Sequence, residues 1–497
     1  MAHNIILQPS RTLMEFRLLP KLTTSQTAID KISLKTPLVY SSDSQRKYNL
    51  NIPIVSAAMQ SVSGSRMGIE LAKLGGCAFI FCSQPIDEQV AMVSTIKHSK
   101  AGFVKPKVVP PYMLISELHK LRLSTDYNVF PVTDENNRLL GIITRNDFDR
   151  TLHGSLQVQD RMIPRANLVT GVNTINLKSA NAILVESHQS VLPIVDENDK
   201  LLYLVFRKDI EDHLNNPLQV VDHQKRLICT AAINTHDYKE RINELVNEGI
   251  DALCIDSSDG YTEFQKNVLE WSLSEYPDVP VIGGNVVTAD GFRYLVDHGA
   301  RAIKIGMGSG SICITQEQKG TGRGLATAII AVSDARDKYF SETGKYIPLI
   351  ADGGIVNSKD LVIALALGAD YAMMGRYFAR MEESPTETVT INNRIMKPYW
   401  GEGSNRAREW QQRRYHQATF AEGVEGFVEY AGKLKDNIDR TIMKIKSTLS
   451  TCGVSSIPEL HQHAELELVS SLSIREGKVH DVFVPQNNDY LGDNDQF

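Results

Sequence analysis

One cysteine of this sequence stands where its thiol could act as a nucleophile. Cys313 follows the glycine- and serine-rich run GMGSGSI at residues 306–312 and precedes Thr315 by two positions. Glycines let the backbone approach a ligand closely, and a flexible loop leaves a thiol accessible for covalent catalysis. A single cysteine is more often an inert buried residue, and we expect this of Cys229 and Cys254, which lie inside apolar runs. Cys313 is therefore the candidate nucleophile.

A second group of residues could hold an anionic ligand. Asp352-Gly353-Gly354 and Gly375-Arg376 each follow a short apolar run. Successive backbone amides at the start of a helix stabilise a phosphate dianion, whereas a tight turn is the simpler alternative for the double glycine. Side chains that could bind a ribose or an amide follow two other runs, at Asp256-Ser257-Ser258-Asp259 and Gly284-Asn285.

These polar residues follow a regular series of apolar runs, which predicts the fold. Runs of this kind alternate with helical stretches, and that pattern is typical of a parallel sheet covered on both faces. Eight such units predict an α/β fold, a (β/α)8 TIM barrel with its active site at the carboxyl ends of the strands. An open doubly wound sheet fits less well, because no phosphate fingerprint follows the first run. The runs start at Ile52, Cys77, Ile228, Ala252, Val279, Ala302, Pro348 and Tyr371.

Two long segments interrupt the even spacing of the runs. The first, residues 306–327, contains Cys313 and is predicted to be an active-site loop. The second, about residues 376–430, is rich in Arg, Gln and Glu and is predicted to be a flap. Long insertions at this rim of a barrel usually cover the substrate, although plain surface decoration is the alternative.

An internal repeat separates the second run from the third. PVTDENNRLLGIITRNDF at 131–148 returns as PIVDENDKLLYLVFRKDI at 193–210, and each copy predicts a β-hairpin. The repeat defines an α+β module at 103–217, inserted into a barrel made of 1–102 and 218–497. It resembles a tandem pair of CBS motifs (a Bateman module), which often binds adenine nucleotides. Thr144 and Asp147 match a ribose-contact pattern, but helix or hairpin capping explains such an aspartate equally well.

Composition narrows the class of protein. The net charge is −6, with 42% hydrophobic and 23% charged residues, which excludes wholesale disorder and does not favour nucleic acid as the main partner. A mean hydropathy of −0.20 and the lack of a long apolar run predict no membrane span, and with no visible secretory signal we expect a cytoplasmic enzyme. The six cysteines form no CxxC pair and are expected to be reduced thiols. No histidine pattern predicts a metal site.

The motifs together resemble those of the inosine-5′-monophosphate (IMP) dehydrogenase and GMP reductase family. They are IDSSDG, GGNVVT, GMGSGSICITQE, ADGGI, MMGR, YWGEGS and AEGVEG, and they extend over essentially the whole chain. The GSGSICIT sequence is highly specific to this family, and the inserted CBS pair matches it too.

The resemblance implies an NAD-dependent oxidation of IMP to xanthosine monophosphate (XMP), the committed step of guanine nucleotide synthesis. Cys313 would add to C2 of the purine, and a hydride would pass to NAD, which leaves a covalent thioimidate. A flap would then close, and water would hydrolyse the intermediate. The implied catalytic residues are Cys313, Thr315, Arg414, Tyr415 and Glu422, with the adjacent Arg413 as an alternative register for the arginine.

The resemblance also implies binding residues. Arg376 departs from the small hydroxyl residue of many members and could form a bidentate salt bridge to phosphate. IMP would contact Ala57, Met59, Ser311, Asp352, Gly353, Gly354, Gly375, Arg376, Tyr399, Gly401, Glu402, Gly403 and Glu422. NAD would contact Asp256, Ser257, Ser258, Asn285, Gly306 and Gly308. A potassium ion would sit on carbonyls of Gly308, Gly310 and Cys313, completed by Glu476, Gly477 and Lys478 of a neighbouring subunit, where Lys478 replaces the usual glycine.

Two alternatives remain open at this level. GMP reductase, which deaminates GMP with NADPH, shares the barrel, the thiol and the relay, but it lacks an Arg-Tyr flap. A nucleotide-sensing protein without catalysis is the other alternative, disfavoured because Cys313, Thr315, Arg414 and Glu422 are all present. The resemblance further implies a homotetramer that can stack into an octamer, with adenine or guanine nucleotides as possible ligands of the CBS module.

Overall fold

The computed structural model describes residues 5–42, 48–99, 103–104, 106–125, 127–175, 177–207, 216–408 and 420–482. In chain order its strands are β1 Phe16–Leu18, β2 Thr36–Pro37, β3 Asn49–Leu50, β4 Ile54–Ser56, β5 Cys77–Ile80, β6 Phe103–Val104, β7 Val129–Thr133, β8 Leu139–Thr144, β9 Ile163–Pro164, β10 Gly171–Val172, β11 Val191–Val195, β12 Leu201–Phe206, β13 Thr230–Ile233, β14 Ala252–Ile255, β15 Val281–Val286, β16 Ala302–Ile305, β17 Leu349–Asp352, β18 Tyr371–Met374, β19 Val389–Ile391, β20 Arg394–Trp400, β21 Glu425–Glu429 and β22 Leu466–Leu468.

The helices of the described residues lie mainly between the strands of one sheet. They are α1 Ser65–Lys73, α2 Ile86–Lys97, α3 Ile115–Thr125, α4 Arg150–His153, α5 Leu177–Glu186, α6 Tyr238–Asn247, α7 Glu263–Glu275, α8 Ala289–Asp297, α9 Thr315–Lys319, α10 Leu325–Thr343, α11 Ser358–Ala366, α12 Arg376–Ala379, α13 Asn405–Arg408, α14 Leu434–Thr451, α15 Ile457–His463 and α16 Ser471–Glu476. None of these described helices is long and apolar enough to cross a membrane.

Eight parallel strands close into a barrel, in the order β4, β5, β13, β14, β15, β16, β17 and β18. Each of them lies in one of the eight predicted apolar runs, so the predicted TIM barrel is confirmed. Almost all their residues are buried, because the pleat fills the barrel interior with one set of side chains and packs the other against helices. The carboxyl ends of all eight strands therefore meet at one rim.

Threonine and asparagine residues cap the N-termini of several barrel helices. Thr262, Thr288 and Asn357 precede α7, α8 and α11, and each side-chain oxygen accepts a hydrogen bond from a backbone amide of the first turn. These caps satisfy donors that have no partner inside the helix. In α8, Phe292 and Leu295 are fully buried and hold that helix against the barrel.

The chain between β5 and β13 forms two sheets of its own, β7-β8-β9 and β10-β11-β12-β6. Both repeat copies form antiparallel hairpins, with Val129 opposite Thr144 and Val191 opposite Phe206. The hairpin tips pair with each other: the amide of Leu139 donates to the carbonyl of Asp199, and that of Leu201 donates to the carbonyl of Asn137. The repeat therefore folds as two related halves joined tip to tip.

A buried ion cluster lies where the chain leaves and re-enters the barrel. Lys97, the last residue of α2, places Nζ 2.8 Å from Asp222 and 2.7 Å from Asp251, and its side chain is fully buried. Arg226 also bonds Asp222, at 2.9 Å. Lys97 and its two carboxylates thus join α2, the segment that returns to the barrel and the residue before β14.

Candidate active site

A pocket opens at the carboxyl ends of the barrel strands and collects almost every predicted site residue. Of the predicted residues, the pocket is lined by Ala57, Met59, Asp256, Ser257, Ser258, Asn285, Gly306, Gly308, Gly310, Ser311, Cys313, Thr315, Asp352, Gly353, Gly354, Gly375, Arg376, Tyr399, Gly401, Glu402, Gly403 and Glu422. Arg413, Arg414 and Tyr415 lie outside the described residues. Glu476, Gly477 and Lys478 do not line this pocket.

Cys313 lies in the loop after β16. It is partly exposed, whereas the other five cysteines of the chain are buried. Its amide donates to the carbonyl of Gly310 at 3.1 Å, which closes a tight turn in the loop. Its Sγ lies 3.1 Å from the hydroxyl of Thr315. The thiol is therefore both accessible from the pocket and held by a defined polar neighbour.

The contact from Cys313 continues to a carboxylate. Thr315 begins α9 and is buried, and its Oγ1 donates to Oε2 of Glu422 at 3.1 Å. The other oxygen of Glu422 lies 2.7 Å from Nζ of Lys319. Cysteine, threonine and glutamate thus form a continuous line of polar contacts along the pocket wall. Such a line can orient a thiol, or pass a proton from a hydroxyl to a carboxylate.

Backbone hydrogen bonds bring Glu422 to the cysteine loop. The amide of Ile314 donates to the carbonyl of Glu422, and the amide of Val424 donates to the carbonyl of Ile312. On the other side, the amide of Glu422 donates to the carbonyl of Gly403. A Cβ at Gly403 would lie 3.1 Å from Cβ of Glu422, so this close approach favours glycine. Two distant segments of sequence are thus fixed beside Cys313.

A second network fastens the end of β20 to the barrel rim. Both carboxylate oxygens of Glu402 are bonded: one accepts from the amide of Gln60 at 2.7 Å, and the other accepts from the hydroxyl of Ser83. The side-chain oxygen of Gln60 in turn accepts from the indole N–H of Trp400 at 2.9 Å. These bonds position Tyr399 and the residues after Trp400 over the pocket.

Asp352, at the end of β17, is the central carboxylate of the pocket. Asn285 donates its amide to Asp352 Oδ2 at 2.8 Å. Burial raises the pKa of Asp352 above its ordinary value, although the charge of Lys304 and the hydrogen bond from Asn285 act against the rise. Among the described residues, the buried side-chain oxygen of Asn285 accepts no hydrogen bond, which leaves an acceptor for a ligand.

Glycines shape the wall between Asp352 and the cysteine loop. Gly353 has φ +91° and Gly354 has φ +70°, the left-handed region that favours glycine. A Cβ at Gly353 would lie 2.6 Å from the hydroxyl of Ser309. Arg376 begins the short helix α12 and lines the same pocket. Tyr399 also lines it, and burial raises the pKa of its hydroxyl. Backbone amides and one guanidinium are thus available to an anion.

Several pocket residues lie outside the sequence prediction. Lys304 is buried in β16, and a single lysine within an apolar strand gave no signal of a site. Lys319 does not line the pocket itself, but it contacts the pocket residue Glu422; it follows Cys313 in the same loop, so its proximity was visible but its partner was not. The other missed lining residues are Ala58, Met307, Ser309, Ile312, Ile355, Met373 and Gly423.

No group of three or more His, Cys, Asp or Glu residues within the described part of the chain could hold a metal ion. The predicted potassium ligands are mainly backbone carbonyls. Gly308 has φ +72°, and the carbonyl of Gly310 already accepts the amide of Cys313. Glu476 ends α16, and the amide of Lys478 donates to the carbonyl of Arg475.

The closed parallel barrel has a glycine-lined pocket at its carboxyl rim, and a partly exposed thiol lies in that pocket. These features define a (β/α)8-barrel enzyme. The family model for the IMP dehydrogenase / GMP reductase domain matches residues 10–480. The chain belongs to the IMP dehydrogenase / GMP reductase family of enzymes.

Named relatives and a solved structure agree with this family. The inosine-5′-monophosphate dehydrogenase of Tritrichomonas foetus is 48% identical over 496 residues, which covers 97% of this chain and 98% of that protein. The enzyme of the same name from Escherichia coli K12 is 35% identical, covering 88% and 91%. A cysteine-to-alanine variant of GMP reductase from Trypanosoma brucei, in complex with guanosine 5′-monophosphate, superposes with a TM-score of 0.80 at 27% identity, covering 96% and 99%.

Proposed function

We propose that this protein oxidises IMP to XMP with NAD as hydride acceptor, through a thioimidate on Cys313. The observation that carries the proposal is the accessible thiol of Cys313, 3.1 Å from Thr315, in a pocket that also holds Asp352 and the double glycine. The relatives that cover nearly the whole chain carry the name inosine-5′-monophosphate dehydrogenase, which supports the same reaction.

IMP binds, in this proposal, with its ribose on Asp352 and its phosphate on the amides near Gly354 and Gly375. A carboxylate accepts hydrogen bonds from two adjacent hydroxyls, and left-handed glycines turn amide N–H groups toward an anion. Arg376 adds a charge that can pair with the phosphate in bidentate geometry. Gly401 and Glu402 close the far side of the purine. Ala57, Met59, Ser311, Gly353, Tyr399, Gly403 and Glu422 complete the proposed contacts.

The first chemical step forms one bond and transfers a hydride. The Cys313 thiolate adds to C2 of the purine, and the hydrogen at C2 leaves with its electron pair, which gives the thioimidate. NAD supplies the two-electron acceptor for that hydride. The pocket residues proposed to hold the dinucleotide are Asp256, Ser257, Ser258, Asn285, Gly306 and Gly308. The free side-chain acceptor of Asn285 suits an amide ligand.

The second step consumes water. Water attacks C2, a proton passes to the enzyme, and the C–S bond breaks with its electron pair returning to the sulfur of Cys313. Overall, IMP, NAD⁺ and water yield XMP, NADH and a proton. Thr315 and Glu422 provide a route for the proton within hydrogen-bond distance of the sulfur. Arg414 and Tyr415, outside the described residues, are the proposed flap pair that activates the water.

We also propose a binding site for a monovalent cation, which the residues of this chain can form only in part. Gly308, Gly310 and Cys313 can offer carbonyl oxygens, the donor type that replaces the hydration shell of potassium. One chain alone provides only this half of a cage; Glu476, Gly477 and Lys478 of a neighbouring subunit would form the rest. The ammonium of Lys478 does not suit a cation ligand, so the site is expected to bind potassium weakly.

GMP reductase is the second candidate, favoured by the TM-score of 0.80 to such an enzyme. That reaction would use the same thiol to displace ammonia from GMP, with NADPH as hydride donor. Two assays separate the candidates: NADH formation from IMP and NAD, and NADPH consumption with GMP. We expect turnover only in the first assay. Turnover only in the second would overturn the proposed dehydrogenase.

The inserted segment is proposed to be a tandem CBS module at 103–217 that binds adenine or guanine nucleotides, in a homotetramer that can stack into an octamer. The two hairpins paired tip to tip support such a module. Asp147 accepts a hydrogen bond from the amide of Thr144 at 2.6 Å, the capping arrangement that competes with a ribose contact. Binding of ATP to the purified protein, measured by calorimetry, tests this proposal.

A further inference from the structure

The loop that carries Cys313 also carries a lysine that the proposed chemistry does not use. Lys319 is the last residue of α9, and its Nζ lies 2.7 Å from Oε1 of Glu422. Directly after it, Gly320 has φ +66° and ends the helix in a left-handed turn. The helix is anchored at its other end by the buried Thr315. One five-residue helix thus presents both Thr315 and Lys319 to Glu422.

The two oxygens of Glu422 therefore have separate partners. Oε1 pairs with the ammonium of Lys319, and Oε2 accepts the hydroxyl of Thr315. A hydrogen bond between charged groups is shorter and stronger than one between neutral groups. Fixing one oxygen on the ammonium restricts rotation of the carboxylate. The second oxygen then remains aimed at Thr315, which contacts Cys313.

We infer that Lys319 is a positioning residue for the hydrolytic half of the reaction, acting through Glu422; this inference rests on the proposed function. As water attacks C2, its proton passes to Oγ1 of Thr315 and the proton of Thr315 passes to Oε2 of Glu422. The C–S bond breaks at the same time, with its electron pair going to the sulfur of Cys313. Lys319 keeps its own proton throughout.

The surroundings distinguish this pair from an ordinary surface ion pair, which contributes little. The side chain of Glu422 is only 12% exposed, although that of Lys319 is 38% exposed. A matched control exists on α7, where Lys266 pairs with Glu270 at 4.0 Å and is 37% exposed. That second lysine has similar exposure and also faces a carboxylate, but Glu270 does not line the pocket, whereas Glu422 does.

The test measures the hydride burst and the steady-state rate of NADH formation in full-length variants. Lys319→Met is expected to lower kcat about 5- to 10-fold and to leave the burst rate within about twofold, because only hydrolysis needs the oriented carboxylate. Lys319→Arg is expected to retain at least about half of kcat, since it keeps the charge and the donors. Lys266→Met is expected to match the wild type.

The double variant decides whether Lys319 acts through Glu422. Lys319→Met combined with Glu422→Gln should be no slower than Glu422→Gln alone, because residues that act as one unit are not additive. Losses that multiply, an arginine variant as slow as the methionine variant, or an unchanged Lys319→Met would overturn the inference. If the wild-type protein itself forms no NADH from IMP and NAD, the proposed function fails, and the inference fails with it.

Discussion

At the scale of single residues, the sulfur of Cys313 carries the proposed chemistry. Cys313→Ser is expected to abolish hydride transfer, because a serine alkoxide is far less available than a thiolate near neutral pH. Stopped-flow detection of NADH measures the burst, and calorimetric binding of IMP is the control that the pocket is intact. A normal burst in the serine variant would contradict covalent catalysis by this residue.

The charge of Asp352 gives a second prediction at this scale. Burial raises the pKa of this carboxyl, so it becomes protonated at a higher pH than an ordinary aspartate as the solution is acidified. Because Lys304 acts to lower that pKa, Lys304→Met should raise it further. The rise in KM for IMP on acidification is therefore expected to begin at higher pH in the variant. A pH profile of KM that does not move, in a folded variant, would contradict the role of Asp352.

Lys304 and Lys319 are two residues of the site that could not be predicted from the sequence. Cys313, Asp352 and the double glycine carry local signals, because loop composition and strand ends mark them. Glu422, the partner of Lys319, lies between β20 and β21, and the pairing of these strands helps to bring it close to Lys319. No residue near Lys319 in the sequence predicts this contact. Contacts between segments that are distant in sequence are set by the three-dimensional fold.

At the scale of elements, the end of β20 is fixed by Glu402. Glu402→Gln replaces a carboxylate that accepts two hydrogen bonds by an amide that can accept with one oxygen only. Loosening this segment is expected to raise KM for IMP about tenfold, the size expected for one hydrogen bond to a charged group. Steady-state kinetics measures the change.

Glu425→Gln provides the control for this prediction. Glu425 begins β21 in the same sheet, and its contact with Arg406 is exposed and 3.8 Å long. That variant is expected to keep KM within about twofold, as exposed pairs contribute little. Equal effects of the two substitutions would contradict a specific role for Glu402.

The flap gives a second expectation at this scale. Arg414→Ala should slow hydrolysis while leaving the hydride burst, because the proposed role of the arginine begins after the thioimidate forms. Rapid-mixing kinetics separates the two phases. Loss of the burst in equal measure would instead assign Arg414 to substrate binding.

The elements themselves were largely visible in the sequence. All eight barrel strands lie in the predicted apolar runs, because parallel strands covered on both faces are nearly continuously apolar. The β19-β20-β21 sheet was not predicted, since β19 and β21 are short and mostly exposed strands without a clear alternating pattern.

At the scale of the whole molecule, the Lys97 cluster joins the barrel to the point where the chain returns to it. Lys97→Met would leave Asp222 and Asp251 buried without their shared cation. Removal of one partner of a buried pair costs about 3–5 kcal/mol. Urea unfolding should show a loss of this size, whereas Lys435→Met, in an exposed pair with Asp439, should change stability by less than about 0.5 kcal/mol.

The contribution of Asp222 to the pH dependence of stability has a definite sign. Burial alone would raise the pKa of Asp222, but the charge and hydrogen bond of Lys97, together with Arg226, outweigh burial and lower it. Its stabilising contribution is therefore present above the ordinary aspartate pKa and is lost as the pH falls through the lowered value. In Lys97→Met, Asp222 loses the lysine and keeps only Arg226, so the difference from wild type should shrink on acidification. A difference independent of pH would contradict this account.

The central claim is a covalent bond between the sulfur of Cys313 and the purine. The direct measurement is acid quench of the wild-type protein during turnover of IMP and NAD, followed by peptide mass spectrometry. The account predicts a nucleotide adduct on the peptide that contains Cys313, in an amount equal to the NADH burst. Steady NADH formation with that peptide unmodified, or an adduct on another residue, would contradict it.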